Sequence, residues 1–576
     1  MAVSPVRALL VLSTLSALTA PIAAQKGGAK PAPAPVPAAG PPGYAEALAR
    51  YKECIARIPF VHHTEGRSRL AQTRAMEGLP ILISDYTKPK AHPEYSKYTL
   101  ATLYGRHFDF GEATESLNAL RIAQDKPIDT WLWVQTLRIV ANRSREAEVI
   151  DIATGDKNLY HRAAAIAAIG ESRSGDVKAV VLPNCLEFPK KESDRALLLG
   201  AMTGALWEQK SRVNDAAYRE ALTAYIGLLA DDVGLSHTLK VQMGRHLQWI
   251  LNGPALFVNP EPWLELLARG EVRKPTDNGT TASPRFFGIE TDGERICYVV
   301  DMSDSMLMAI SPSAKPPTNP ITGPRPKKKR ALLDESDLPW DKIQTRWDLA
   351  REQLRISLLR LTPDKTFSVV WFGDSSGTLE ACKGMMKATK SNVDRAIAEL
   401  DSIKPAPVPP PVPGENNRGR TGVVPPGEKE PKVLRGDTNM HSGIARAFGL
   451  AGKGFVATAA YVDEDALTEG CDTIFMLSDG APTSDDFIAV DKDYHEGEVV
   501  SDMETSKAAP RTPQIWYPGP YREDGWLIED VRRMNAFRRI RMHCIGLGEA
   551  NEGLLKRLAE VGHGEVFFFG QKKDGK

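Results

Sequence analysis

Five side chains in the second half of the chain have the types and spacing to hold a hard metal ion: Asp301, Ser303, Ser305, Thr438 and Asp479. The first three fall in Asp301-Met302-Ser303-Asp304-Ser305, where every second residue carries an oxygen. Thr438 stands in Gly436-Asp437-Thr438-Asn439, and Asp479 in Ser478-Asp479-Gly480. Together they offer two carboxylates and three hydroxyls, with no thiolate and no imidazole in these motifs. An all-oxygen set of this kind suits Mg²⁺, Mn²⁺ or Ca²⁺ and not zinc or copper. Taken singly, each motif has a plainer reading. Asp301 and Ser303 are good helix caps, Thr438 can cap the helix after it, and Asp-Gly is a common turn. It is their joint placement, at the ends of the right elements, that points to one site.

The elements that must place them alternate between strand and helix. Ile296 to Val300 (ICYVV), Thr366 to Phe372 (TFSVVWF), Thr473 to Leu477 (TIFML), Ile540 to Leu547 (IRMHCIGL) and Glu565 to Phe569 read as strands. Trp347 to Leu361, Asn392 to Leu400, Met440 to Leu450, Trp526 to Phe537 and Glu552 to Val561 read as helices. Near-continuous apolar strands separated by helices predict a mainly parallel sheet covered on both faces. In such a sheet ligands bind at the carboxyl ends of the strands. One strand runs straight into Asp301 and another into Asp479, so these turns are expected to converge, with a helix after Ser305 aiming its positive end at the site. Three insertions interrupt the alternation, at 311–340, 404–434 and 484–521. The first carries the basic run Lys327-Lys328-Lys329-Arg330 and, with the second, reads as a loop rich in proline.

The first half of the chain has a different pattern. Residues 43–275 show apolar spacing of helical period, for example Tyr44 to Ile58, Thr130 to Ala141, Ala196 to Trp207 and Ala216 to Leu229. The segment HRAAAIAAIGESRSGDVKAVVLPNCL, from His161 to Leu186, joins an alanine-rich helix to a short Gly/Asp turn and a second apolar helix. It resembles one unit of the HEAT-like helical repeats, which implies a scaffold or docking surface. His62, His63 and His161 have no matching ligands in the sequence and read as ordinary surface or core residues.

Ahead of it, Arg7, the apolar run Ala8 to Leu18 and Ile22-Ala23-Ala24, which ends in small residues, read as a signal peptide over 1–24. Residues 25–42, rich in Ala and Pro, read as a tether. The expectation is a secreted or periplasmic protein whose mature chain has no transmembrane segment. Lys plus Arg and Asp plus Glu both total 73, which gives no electrostatic case for a nucleic-acid partner. The six cysteines are scattered without a CxxC pair, so no particular disulfide is predicted, and Cys297 and Cys544 read as small buried apolar residues.

Residues 286–570 resemble a von Willebrand factor A domain. DMSDS, RGDTN and LSDG match, in order, the pattern of its metal-ion-dependent adhesion site. The resemblance implies a Rossmann-like doubly wound α/β fold. It implies that Ser303, Ser305 and Thr438 bind the ion through hydroxyls, and that Asp301 and Asp479 act directly or through waters. It further implies an open coordination position for an acidic side chain of a protein partner. Asp304 departs from the pattern, since many relatives have glycine there; an extra carboxylate would strengthen cation binding and weaken the attraction for an acidic ligand. The expectation is a binding module and not an enzyme. The sequence has no Ser-His-Asp order or GxSxG elbow, and no histidine stands in these motifs to act as an evident base. Two alternatives stand beside it: an Mg²⁺-dependent hydrolase using Asp301 and Asp479, and a helical-repeat scaffold in which the metal domain is purely structural.

Overall fold

Strict two-residue alternation within the strands decides the architecture. In β1 (Arg295–Asp301), Cys297 and Val299 face one apolar cluster, while Ile296, Tyr298 and Val300 face another. A strand apolar on both faces is stable only in the middle of three layers. The computed structural model describes residues 43–172, 189–254, 256–269, 284–310, 338–405, 433–434, 436–456, 459, 461–491 and 515–570. The expected signal peptide and tether at 1–42 and the helix expected over Val177 to Leu186 lie outside them. So does most of each of the three insertions.

Five parallel strands form the sheet, with a short antiparallel edge. Beside β1 lie β2 (Thr366–Phe372) on one side and, on the other, β5 (Thr473–Ser478), β6 (Arg541–Leu547) and β7 (His563–Phe569) in that order. β3 (Ser376–Thr378) and β4 (Met386–Lys387) pair antiparallel with β2, an edge that the sequence pattern did not predict. The chain passes from β1 to β2 on one side and later crosses back to place β5 on the other. The crevice between β1 and β5 is thus the point where the strand order diverges, the usual ligand position in such sheets.

Helices Arg346–Leu359 and Lys390–Ser402 pack on one face. Helices Met440–Phe448, Asp524–Arg538 and Glu552–Val561 pack on the other. Twelve further α-helices run from Tyr44–Ala56 to Pro260–Arg269 among the described residues. They share the second face's apolar cluster, so this half is packed onto the sheet layer.

Two contacts show how close that packing is. Arg245, buried in helix His237–Leu251, reaches Asp292 at 2.9 Å, Asp472 at 3.1 Å and Thr473 Oγ1 at 2.8 Å. Asp472 Oδ2 in turn accepts the backbone N–H groups of Glu294 and Arg295, which pins the starts of β1 and β5 together. In helix Glu192–Glu208, a Cβ added at Gly200 would lie 1.9 Å from the Phe537 carbonyl oxygen. Gly200→Ala is therefore expected to lower the unfolding free energy by about 1–3 kcal/mol through overpacking, although alanine is the better helix former by about 1 kcal/mol. A urea midpoint that is unchanged or raised would show that the helical and sheet halves are not in this contact.

Candidate metal centre

The turn after β1 is built from its own side chains. Asp301 ends the strand, and its Oδ1 accepts the N–H of Ser303 at 2.9 Å, folding the chain back on itself. A single 3₁₀ turn, Asp304–Leu307, follows, anchored by the fully buried Met306. No long helix begins after Ser305, contrary to expectation. The chain leaves at Met308 in extended conformation, and Ala309 bridges to Thr345. Thr345 then caps helix Arg346–Leu359 in a reciprocal box with Asp348. Among the described residues the next helix is therefore Arg346–Leu359, beyond the first insertion, where its capping residues stand.

A chain of polar contacts links the two strand ends. Ser305 Oγ donates to Asp479 Oδ1 at 2.6 Å. Ser303 Oγ and Ser305 Oγ lie 3.0 Å apart. Ser305 has one hydroxyl proton and gives it to Asp479, so Ser303 is the donor in that second bond. Ser478 Oγ donates to Asp301 Oδ2 at 2.8 Å. Asp301, Ser303, Thr438 and Asp479 are all buried, and Ser305 is half-buried.

The third loop joins this pair from the far side. Asp304 Oδ1 accepts the Gly436 N–H at 2.9 Å, and the Asp304 N–H donates to the Gly436 carbonyl at 3.3 Å. Asp304 is thus a clip between loops and not merely an added charge. Gly436 has φ +81°, and a Cβ there would run into the Asp374 carboxylate at 1.6 Å, so only glycine fits. Thr438 exchanges two bonds with Thr483, from its N–H to Oγ1 at 2.8 Å and from the Thr483 N–H to its carbonyl at 3.1 Å. Asn439, not Thr438, caps helix Met440–Phe448, by accepting the Ser442 N–H at 3.1 Å. The Thr438 hydroxyl makes no hydrogen bond among the described residues. Every pair of the three loops is therefore joined: 301–305 to 479, 304 to 436, and 438 to 483.

Electrostatics leave this pocket short of positive charge. Burial, together with the nearby charge of Asp479, pushes the Asp301 carboxyl up to about 7. Asp301 accepts only from neutral donors among the described residues. Burial also raises Asp479, opposed by Ser305 and by Arg346, whose Nη1 lies 2.8 Å from Oδ2. Two buried carboxylates with one guanidinium between them are under-compensated. Two acids, three hydroxyls and no soft ligand fit a hard divalent cation, with Asp301, Ser303, Ser305, Thr438 and Asp479 as the residues able to hold it.

The supporting residues were not foreseen. Arg346 stands one residue before the predicted start of its helix and carries no motif. Thr483 lies at, and Asp486 within, the edge of the third insertion. Asp486 accepts from Asn439 Nδ2 at 2.8 Å and from Ser442 Oγ at 2.9 Å. The polar run Thr483-Ser484-Asp485-Asp486 was the available signal, but in sequence it is indistinguishable from loop. His441, three residues after Thr438, turns away to Asp530 at 2.9 Å and stacks on Tyr521 at 4.0 Å.

No family model matches the chain, and no curated protein matches it significantly.

In the absence of a cation, the folded chain holds a proton on Asp301 up to about pH 7. The unfolded chain releases it at the ordinary carboxylate value of about 3.9. The fold binds more protons across that window and so loses stability as pH rises through it. In chelator, stability is expected to fall between about pH 4 and pH 7, and Asp301→Asn is expected to flatten the slope. Parallel slopes in urea titrations of the two proteins would refute the assignment.

Proposed function

We propose that the chain is a divalent-cation-dependent protein-binding module of an exported protein, and that its C-terminal half is a von Willebrand factor A domain of Rossmann-like doubly wound type. The observation that carries this reading is the pairwise hydrogen bonding of the three loops that bear Asp301, Ser303, Ser305, Thr438 and Asp479. They meet at the carboxyl ends of β1 and β5, where the strand order diverges. Mg²⁺, or Mn²⁺ or Ca²⁺, would be held by the three hydroxyls and the two carboxylates. When bound, it would supply an electron-poor centre able to accept an anionic oxygen.

The protein's own residues favour an acidic partner in two ways. The three hydroxyls are neutral and add no negative charge that would repel an anionic oxygen. Arg346 offsets part of the Asp479 charge that would otherwise repel a carboxylate. The partner is thus proposed to be a protein presenting an acidic side chain. The helical half, which shares its core with the sheet layer, would hold the pocket and add surface around it. No helix among the described residues is long and apolar enough to cross a membrane. Export, to the periplasm or the exterior, rests on the residue pattern of 1–24.

Saturating Mg²⁺ at about 100 times Kd is expected to stabilise the fold by about 2.7 kcal/mol, seen as a rise of several degrees in Tm. Asp301→Ala is expected to abolish that rise. The same chain, immobilised in Mg²⁺, should capture its partner from a host extract and release it in chelator. A flat melting response in the unaltered protein, or a partner that stays bound in chelator, would sink the reading. Arg346→Met removes a competing cation and is expected to tighten Mg²⁺ binding by on the order of tenfold. Calorimetry giving an equal or weaker affinity would show that Arg346 does not act on the pocket.

A further inference from the structure

Far from this pocket in sequence, the first helical hairpin gathers a different ligand set. Cys54 lies near the end of helix Tyr44–Ala56, and His62 and Glu65 lie three residues apart in helix Phe60–Gln72. That spacing puts the last two on one face. The hairpin is tight because residue 66 is glycine: a Cβ there would stand 2.7 Å from Cys54 Cβ. As a result the Cys54 sulfur, a His62 ring nitrogen and a Glu65 carboxylate oxygen all lie within 4.8 Å of one another. His62 Nδ1 is 3.7 Å from Glu65 Oε2.

The histidine is the telling member. Both of its ring nitrogens are buried, and neither has a hydrogen-bond partner among the described residues. Stranding buried polar atoms costs their desolvation with nothing in return, and such atoms call for an explanation such as an ion. The ring stands edge-on to Tyr517 at 4.7 Å, which fixes its plane. Burial lowers the imidazole below its usual range. The Cys54 thiol is pushed up to about 11 by burial, against the pull of Arg50. Arg50 grips Glu65 Oε1 through Nε at 3.3 Å and both oxygens through Nη2 at 3.2 Å, and Arg69 adds a contact to Oε1 at 3.1 Å, so the carboxylate is held in orientation.

We propose that Cys54, His62 and Glu65 form a second metal site, for a thiophilic divalent ion of the Zn²⁺ class. One sulfur, one nitrogen and one oxygen ligand match that class and exclude Mg²⁺. Binding expels the thiol proton to solvent, and one thiolate and one carboxylate balance the ion's two charges. Three protein ligands leave a fourth position for water or another donor. The site is independent of the Asp301 pocket and differs from it in ligand chemistry, so either can fail without the other.

Co²⁺ is the probe, titrated into the full chain with Mg²⁺ in excess to occupy the oxygen-lined pocket. One Co²⁺ per chain is expected, with the intense sulfur-to-cobalt charge-transfer absorption that an all-oxygen site cannot produce, and Zn²⁺ should displace it. Cys54→Ser should lose the band. His62→Asn, which keeps the thiol and guards against a folding defect in the first variant, should bind at least about tenfold more weakly. Absence of the band in the unaltered protein, its survival in Cys54→Ser, or an unchanged affinity in His62→Asn would overturn the proposal.

Discussion

The repulsion between two buried carboxylates governs the C-terminal half. Asp301 and Asp479 end neighbouring parallel strands, and each is raised by burial, Asp301 further by the charge of Asp479. Strand pairing holds them there, since Val300 is registered against Leu477 directly below the two turns. Neither can move away to water without breaking the sheet. The surroundings answer the charge in part. Ser303 and Ser305 pass their protons toward Asp479, Ser478 gives its own to Asp301, and Arg346 arrives from the helix that follows β1 in the chain. What remains uncompensated is the physical basis of the proposed cation site.

The helical half bears on the same region from beneath. Arg245 ties the starts of β1 and β5 to helix His237–Leu251 at the end of the sheet opposite the pocket. On the side of the third loop, Tyr95 packs against Phe487, Tyr521 and His441, whose partner Asp530 is held low mainly by Arg533. Asp486, beside Phe487, is the acceptor that steadies Asn439 and Ser442 at the start of helix Met440–Phe448. The helices thus support the loop carrying Thr438 through aromatic packing, and the strands support the loops carrying Asp301 and Asp479 through register. A division into a separate scaffold and a separate binding domain understates how much apolar surface the two halves share.

Much of the fold was legible because its signals are local. The strands from Thr366 to Phe372 and from Thr473 show near-continuous apolar character, and helix Glu552–Val561 shows helical spacing with Asn551 as its cap. The burial of Cys297 and Cys544 followed from their place in such strands. The β3 edge was not legible, since Ser376-Gly377-Thr378 has no apolar alternation and pairs only because β2 is beside it. The one-turn ending after Ser305 was hidden for a similar reason: it depends on the bridge from Ala309 to Thr345, across residues that the local pattern cannot connect. His62 read as solitary because Cys54 and Glu65 become its neighbours only when the hairpin closes.

The amino-acid sequence alone determined which side chains could do chemistry and in what order they stand, because donor type and local spacing are properties of the chain. It also determined that Asp301 and Asp479 would end strands, since apolar runs stop where they begin. Tertiary structure alone decided that the loop of Thr438 bonds to Thr483 in the loop after β5, that Asp304 serves as a clip, and that Arg346 shares Asp479. Those contacts link residues more than a hundred positions apart, or loops with no periodicity, and are chosen by strand order and packing; no local preference of the chain encodes them.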